Sequence, residues 1–358
     1  MLPYYIMLGV PVIMYILYGG TGGKIQKQQK KQAVVMTSFF IILLAILMLR
    51  HKSVGTDIST YIARFKYIAR MSFDRIFEVF ESERGYYVLN KIISIFTKNE
   101  QWFLVIMALI SVIPVAVLYS KESENALLSI SIFIIISNFA MLFSGLRQSV
   151  AIAIIVISYY FVKNKKPVWF ILFVLLAFTF HKSALIALLL YPFYHMNITR
   201  KKLLFFIPVI GFVFVFNKPI FEFLLQFLGE YGEDYQYEET GAYMMIILFA
   251  LFLLLSYIAP SEESLDKETI GLRGIAVLTL MLQIFALAST VAMRMNYYFM
   301  VFMPILIPRV LNRCSEKNKQ IYQLVSVIIT IFFIIYYIYG MHEGKNTLHM
   351  YPYRPFWK

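Results

Sequence analysis

Residues Trp102–Tyr119, WFLVIMALISVIPVAVLY, form an apolar run without a charged side chain. A helix needs about 20 mostly apolar residues to cross the hydrocarbon core of a bilayer, and this run is close to that length. Phe39–Leu49 and Ile321–Tyr339 are apolar runs of the same kind. The sequence therefore predicts a protein built from membrane-spanning helices.

The composition leads to the same class of protein. The chain has 358 residues, of which 60% are hydrophobic and 15% are charged, and its mean hydropathy is +0.71. Soluble domains carry about a quarter charged residues. The net charge of +13 requires no nucleic acid, because positive charge in short loops fixes membrane orientation and meets anionic lipid. The lone cysteine, Cys314, excludes an intrachain disulfide framework.

We predict an all-α fold, a single polytopic membrane domain over residues 1–358 with about 12 transmembrane helices. Short re-entrant or interfacial helices are expected in the outer loops. The predicted spans are 2–18, 33–49, 102–119, 126–143, 147–162, 168–180, 183–195, 203–216, 243–259, 272–290, 295–310 and 320–339.

The charge of the connecting loops predicts their sidedness. Loops 19–32, 163–167 and 196–202 are basic, and the positive-inside rule places them in the cytoplasm. Both termini and the long loops 50–101 and 217–242 are then extracytoplasmic. A thirteenth span at Tyr86–Phe96 is the alternative, but it would place the first basic loop on the opposite side of the membrane from every later basic loop. We therefore expect an amphipathic interfacial or re-entrant helix within 50–101.

Three turns carry an isolated cation at the edge of an apolar run, and all three open on the predicted outer side. They contain Arg147, the pair His181 and Lys182, and Arg294. Charged groups beside membrane spans are expensive and are functional candidates by default. Each arginine is equally well explained as an interfacial anchor whose side chain reaches lipid phosphate.

Arg147 lies at the predicted start of a span and is followed by Gln148. A guanidinium beside a helix N-terminus combines a bidentate fork with the positive end of the helix dipole, which favours phosphate or diphosphate. Arg294 is a second cation for the same ligand.

His181 is a natural proton acceptor, since only imidazole titrates near neutrality without perturbation. The adjacent Lys182 disfavours a second positive charge and so favours the neutral imidazole that a general base requires. The stretch 168–195 is too short for two full crossings at about 1.5 Å per residue. We therefore expect His181 and Lys182 to line a cavity open to the outside. A helix-capping or hydrogen-bonded structural histidine is the alternative.

The first outer loop holds further candidates. Asp57 and Glu83 are carboxylates that could orient a sugar hydroxyl or act as the base, or could be ordinary solvated acids. Arg84 is a candidate substrate ligand, and Tyr61 and Tyr86 could stack on sugar rings or be interface aromatics. The sequence has no DxD or HExxH motif, no Walker loop and no GxGxxG. We therefore expect no metal and no nucleotide cofactor.

The candidate residues lie in short motifs whose order and spacing are distinctive. In the first half they are Gly55-Thr-Asp57-x-x-x-Tyr61, Glu83-x-Gly85-Tyr86, Gly145-Leu-Arg147-Gln148-x-x-Ala151 and Phe180-His181-Lys182-Ser183-Ala184-Leu185. The second half adds chiefly Met293-Arg294-x-x-Tyr297-Tyr298. In these motifs the chain resembles the EpsG family of Wzy-like exopolysaccharide and O-antigen polymerases.

The resemblance implies a multi-pass polymerase of the plasma membrane, active in exopolysaccharide or capsule synthesis at the outer face. It would transfer a glycan from undecaprenyl diphosphate to a lipid-linked repeat unit. Arg147, helped by Arg294, would bind the donor diphosphate, and His181 would take the acceptor proton, with Asp57 or Glu83 competing for that role. Expected partners are the lipid-linked oligosaccharide, membrane lipids, a chain-length regulator and a flippase.

Three other functions remain open from the sequence. A ligase using the same donor would transfer the glycan once and would not make a ladder of products. A flippase or exporter of lipid-linked glycan would need cations along a path across the membrane. An acyltransferase would need His181 to face a cytoplasmic acyl donor.

Overall fold

The computed structural model describes residues 1–18, 25–225, 242–260, 262–314, 316–343 and 348–358. Within these ranges every regular element is a helix, apart from an isolated antiparallel bridge between Arg50 and Pro355. The all-α prediction is therefore confirmed. The chain divides into two compact units, Met1–Leu185 with Leu324–Lys358, and Ile186–Gln323. The single polytopic domain stays a prediction.

The described residues of the first unit form ten helices and most of an eleventh, α18. In chain order they are α1 (Leu2–Leu17), α2 (Ile25–Leu49), α3 (Ile58–Ile68), α4 (Phe73–Val79), α5 (Arg84–Phe96), α6 (Glu100–Glu122), α7 (Ala126–Ile135), α8 (Ser137–Ser144), α9 (Leu146–Lys163), α10 (Pro167–Phe180) and α18 (Lys319–His342).

The described part of the second unit contains seven α-helices and three short 3₁₀ segments. The 3₁₀ segments are Lys182–Leu189, which begins in the first unit, Glu262–Ser264 and Glu316–Asn318. The helices are α11 (Leu190–His195), α12 (Arg200–Val215), α13 (Asn217–Leu225), α14 (Tyr243–Ile258), α15 (Lys267–Phe285), α16 (Thr290–Met300) and α17 (Met303–Asn312).

Among the described residues, five helices are long and apolar enough to cross a membrane: Gln28–Leu49, Glu100–Glu122, Leu146–Lys163, Lys267–Phe285 and Lys319–His342. Two bent pairs raise the number to seven if each pair is one span. Ala126–Ile135 and Ser137–Ser144 meet at 62°, and Arg200–Val215 and Asn217–Phe223 meet at 80°.

The predicted count of about 12 spans is not confirmed. Hydropathy averages over apolar residues and does not register where helical hydrogen bonding stops. Three further apolar helices, α1, α10 and α14, are shorter than a full crossing. The predicted span 183–195 instead contains a 3₁₀ segment followed by the short α11.

The long loop 50–101 folds into three helices, α3, α4 and α5. A helix was expected at Tyr86–Phe96, and α5 covers Arg84–Phe96; α3 and α4 were not predicted. One face of α5 buries Tyr86, Asn90 and Ile93, whereas Ile95 and Phe96 are exposed. The other long loop, 217–242, begins with α13, and its acidic stretch Glu230–Glu239 lies outside the described residues.

The end of the chain holds the start of loop 50–101 in place. The backbone N–H of His51 donates to the carbonyl of Arg354 at 2.8 Å, and that of Gly55 donates to His349 at 3.0 Å. The buried guanidinium of Arg50 donates to the carbonyl of Phe143 at 2.8 Å. The loop that carries Asp57 is thereby fixed against the turn that carries Arg147.

The second unit has α15 at its centre. Gly274 contacts the carbonyl of Phe193 so closely that a Cβ would clash with it. At one end of this helix, the fully buried Arg273 pairs with Glu262 at 3.1 Å, and Arg200 pairs with the same carboxylate at 3.1 Å. Burial of Arg273 is thus matched by an opposite charge, as a buried cation requires.

Candidate active site

Glu83 lies where three segments of the first unit meet: the start of α5, the first turn of α9 and the turn after α10. It precedes α5 in a left-handed backbone conformation, with φ 54°, and its side chain is 5% exposed. One carboxylate oxygen, Oε2, forms an ion pair with Nη1 of Arg147. The other, Oε1, accepts a hydrogen bond from the backbone N–H of Lys182 at 3.0 Å. The carboxylate therefore joins the first turn of α9 to the turn that follows α10.

Arg147 pairs with Glu83 and remains partly exposed. Its side chain is 33% exposed, and the guanidinium carbon lies 5.9 Å from the centre of the Tyr61 ring. Its Nε is buried without a hydrogen-bond partner. Gly145, just before α9, contacts Met141 so closely that a Cβ would clash with Sδ. The glycine therefore permits the tight turn that brings Arg147 to Glu83.

His181 follows the last residue of α10. Its Nδ1 lies 2.8 Å from Oγ of Ser183 and accepts from the Ser183 backbone N–H at 3.3 Å. The tautomer assigned from this backbone hydrogen bond is the neutral imidazole with its proton on Nε2. Nδ1 lies 4.0 Å from Oε1 of Glu83, so the imidazole sits beside the same carboxylate that holds Arg147.

Asp57 precedes α3 and is exposed. Its backbone N–H donates to Oγ of Ser144 at 3.2 Å, and that hydroxyl lies 3.4 Å from the Asp57 carboxylate. Gly55 adopts φ 103°, where a side chain is strained. A Cβ there would also clash with the carbonyl of Phe143. This close contact places the Asp57 carboxylate on the turn that leads into Arg147.

The two candidate tyrosines differ in exposure. Tyr61 is partly exposed, and its ring lies edge-on to Tyr86 at 5.8 Å and 66°. Tyr86 is fully buried, so it supports Tyr61 from behind and has no ring face open to a sugar. Burial raises the pKa of the Tyr61 phenol above its ordinary value of 10.0, against the opposing effect of Arg147. Tyr61 is therefore a neutral phenol at physiological pH.

The remaining candidates have separate environments. Arg84 is exposed and donates to the carbonyls of Phe80 and Phe77 at 2.9 and 3.3 Å, so it is directed at α4. Gln148 is buried in the first turn of α9. Arg294 is exposed on α16 in the second unit, and its cooperation with Arg147 stays a prediction.

Three contributing residues were not singled out from the sequence. Ser144 directly precedes the motif that contains Arg147, and Ser183 lies in the motif that contains His181. A hydroxyl that can orient a carboxylate or an imidazole is the signal at both positions. Arg50 resembles an ordinary charged residue after a span. Its complete burial follows from the packing of the distant residues 348–358, which no local pattern indicates.

The arrangement combines an anion-binding group with groups that move protons. Arg147 can bind phosphate, the exposed Asp57 can accept a proton, and His181 can donate a hydrogen bond. In the described ranges, no group of three or more His, Cys, Asp or Glu side chains is placed to hold a metal ion. These features define a multi-pass helical membrane protein with a compact polar site in its first unit.

Comparison with known families identifies the group to which the protein belongs. Residues 33–354 match the EpsG family, and the chain belongs to that family, whose members are Wzy-like polymerases. The resemblance found in the motifs is thereby confirmed over most of the chain. Membership suggests a polysaccharide polymerase of the membrane glycosyltransferase type. No curated protein and no solved structure gives a significant match.

Proposed function

We propose that this protein polymerises a polysaccharide at the outer face of the plasma membrane. It takes a glycan from undecaprenyl diphosphate and transfers it to the sugar end of another lipid-linked repeat unit. The observation that carries the proposal is the partly exposed Arg147 side chain, paired with the buried Glu83, which also lies beside His181, while Asp57 contacts Ser144 in the turn before α9. Family membership supports the reaction class.

The diphosphate is the chemical group that this site suits. Arg147 lies in the first turn of α9, where unpaired backbone N–H groups and the helix dipole favour an anion. Glu83 pairs with Nη1 of the guanidinium, and the Arg147 side chain remains 33% exposed. Positive charge fixed there stabilises the negative charge that grows on the leaving diphosphate.

The transfer is a displacement at the anomeric carbon. The acceptor hydroxyl oxygen forms the new glycosidic bond while the bond from carbon to the phosphate oxygen breaks. The electron pair leaves with the lipid diphosphate, and the acceptor proton passes to a base. One-step displacement inverts the anomeric centre. The donor bond supplies the energy, so no nucleotide is required.

The geometry favours Asp57 over His181 as the base. The Asp57 carboxylate is exposed, whereas Nδ1 of His181 already accepts a hydrogen bond from Ser183. In this tautomer Nε2 carries a proton and can only donate. We assign His181 to donating a hydrogen bond to a phosphate or leaving oxygen. A role for Arg294 as a second phosphate ligand stays a prediction from the sequence.

The loop charges support the proposed sidedness. The basic loops 163–167 and 196–202 favour a cytoplasmic location, which leaves Arg147 and His181 extracytoplasmic. A flippase that delivers the repeat unit and a regulator of chain length are the partners that this role requires.

Reconstitution tests the function directly. Purified protein in liposomes is incubated with lipid-linked repeat units, and the products are separated by size. We expect a ladder from the wild type and its loss in Arg147→Ala. Arg75→Ala is the matched control, because Arg75 is exposed and pairs with Glu78 at 2.6 Å on α4.

Other products would indicate other functions. A single addition without a ladder indicates a ligase. Movement of intact lipid-linked glycan across the bilayer indicates a flippase. Reaction of a cysteine at position 181 with reagents confined to the cytoplasmic side, together with acyl transfer, indicates an acyltransferase.

A further inference from the structure

Glu83 makes contacts that differ from those of a catalytic base. Both carboxylate oxygens are engaged, one by Arg147 and the other by the backbone of Lys182, and the side chain is 5% exposed. An acceptor hydroxyl therefore has no open approach to either oxygen. We infer that Glu83 is a positioning residue that aligns the phosphate-binding Arg147 with the His181–Lys182 turn. This inference rests on the proposed function of the site.

The backbone around Glu83 explains how one carboxylate reaches two segments. A left-handed conformation is uncommon for residues other than glycine and persists where the surroundings determine it. Two residues later, a Cβ on Gly85 would clash with Oγ1 of Thr179. The start of α5 thus packs directly against the last turn of α10. The turn at Glu83 directs its carboxylate to the Lys182 N–H, just beyond the end of that helix.

The charge of Glu83 also selects the orientation of Arg147. A buried carboxylate without a partner is costly, so the ion pair holds the guanidinium at Oε2. An arginine side chain otherwise samples many rotamers and loses entropy when it binds a ligand. Glu83 removes that freedom before the substrate arrives. The exposed part of the guanidinium is therefore presented in one orientation.

The same carboxylate lies beside the imidazole. Its Oε1 is 4.0 Å from Nδ1 of His181 and accepts from the residue that follows. A shift of Glu83 would therefore move two groups that contact the donor. Misplacement by about 1 Å can cost about 10²-fold in rate. Loss of Glu83 should accordingly lower both kcat and the affinity for donor, while the binding of the acceptor changes little.

A double-mutant cycle tests this role in the purified full-length protein. Donor and acceptor concentrations are varied separately for the wild type, Glu83→Gln, Arg147→Ala and the double variant. We expect Glu83→Gln to lower kcat/KM for the donor by about 10- to 100-fold. In the Arg147→Ala background the same change should cost less than it does in the wild type, because the part of the effect that acts through Arg147 is already lost.

The matched control is Glu122→Gln. Glu122 pairs with Lys163 at 2.8 Å, and its side chain is 19% exposed. Lys163 is the last residue of α9 and Arg147 lies in its first turn, so this pair lies at the opposite end of the helix. We expect a change of less than about twofold in donor kcat/KM, because the length of α9 separates the pair from Arg147.

Each outcome is decisive for one of the two claims. The positioning role is wrong if Glu83→Gln has wild-type kinetics. It is also wrong if the losses from Glu83→Gln and Arg147→Ala simply add. In both cases the wild type still makes a ladder, so the proposed function stands. A wild type that makes no ladder overturns the proposed function itself. If Glu83→Gln unfolds, Glu83→Asp keeps the charge on a shorter side chain. A positioning role predicts partial recovery of donor kcat/KM in Glu83→Asp, and no recovery contradicts it.

Discussion

The carboxylate of Glu83 forms an ion pair with the guanidinium of Arg147 across 64 residues of sequence. The carboxylate is 5% exposed and the arginine side chain is 33% exposed. The pair is thus buried at its acidic end and open at its basic end. This asymmetry leaves a fixed cation facing outward, which suits the binding of an anionic leaving group better than a freely moving surface arginine does.

Lysine should replace Arg147 poorly. An ammonium carries the charge but lacks the planar fork that can contact Glu83 and a phosphate oxygen together. We expect Arg147→Lys to lower donor kcat/KM by about 10- to 100-fold, the effect of losing a hydrogen bond to a charged group. Initial rates of ladder formation measure it, with Arg75→Lys as the control. Equal rates in Arg147→Lys and the wild type would show that charge alone is sufficient.

Substitutions at Asp57 and His181 should distinguish the general base from the hydrogen-bond donor. Asp57→Asn keeps the size and the contact with Ser144 but removes the proton acceptor. We expect it to abolish the ladder, with a loss of about 10²- to 10⁴-fold in kcat. His181→Gln keeps a hydrogen-bond donor and should be milder, and single-turnover kinetics distinguish the two. A fully active Asp57→Asn together with an inactive His181→Gln would move the base to the imidazole.

The local parts of the site could be predicted from the sequence, but their connections could not. Arg147 and the His181–Lys182 turn were identified as polar residues beside apolar runs, and Asp57 and Glu83 as candidate carboxylates of the first outer loop. The structure brings them together in one unit. Glu83 was expected to orient a sugar hydroxyl, to act as the base, or to be an ordinary solvated acid. Its burial and its two partners depend on how α5, α9 and α10 pack, which spacing alone does not determine.

The fold was predictable in class and not in detail. Apolar composition was enough to indicate an all-helical membrane protein. The bend at Ile136, between α7 and α8, occurs inside the predicted span 126–143. It is invisible to hydropathy, because breaking a helix leaves the side-chain composition unchanged. The helices α3 and α4 were missed because they are short and mixed in polarity, and their stability comes from tertiary packing.

Alkaline pH should destabilise the first unit through its buried tyrosines. Burial raises the pKa of Tyr61 above 10.0, and burial likewise raises the pKa of Tyr86. The unfolded chain loses these protons near pH 10, while the folded chain retains them. Their contribution to stability is therefore complete below about pH 10 and is lost as the pH rises through the folded values. Melting temperatures between pH 8 and pH 11 measure the decline.

Tyr61→Phe is the variant that checks this assignment. It keeps the ring beside Arg147 and Tyr86 but cannot ionise. We expect a shallower decline of melting temperature with pH than in the wild type. Tyr67→Phe is the control, because Tyr67 is exposed on the same helix, α3. Identical declines in the wild type and Tyr61→Phe would exclude Tyr61 as a source of the alkaline instability.

Alanine at Gly55 should disturb the site without touching a charged residue. The position has φ 103°, and an added Cβ would clash with the Phe143 carbonyl. We expect a loss of stability greater than about 1 kcal/mol, since the backbone conformation itself is unfavourable for alanine. Asp57 should shift with the loop, so kcat should fall as well. Gly9→Ala is the control, because nothing lies within 4 Å of its added Cβ. A Gly55→Ala protein as stable and active as the wild type would contradict this account.

Removal of residues 348–358 should weaken both the fold and the activity. These residues supply the carbonyls that accept from His51 and Gly55, and Tyr4 donates to the carbonyl of Met350 at 2.6 Å. Without them Arg50 loses part of its cover, although its bond to Phe143 remains possible. We expect a chain ending at residue 347 to melt at a lower temperature and to make shorter ladders, because the loop that carries Asp57 is less firmly held. Trp357→Ala is the control, since Trp357 is 62% exposed. Unchanged melting and ladder length in the truncated protein would mean that the loop is positioned by the Arg50 and Ser144 contacts alone.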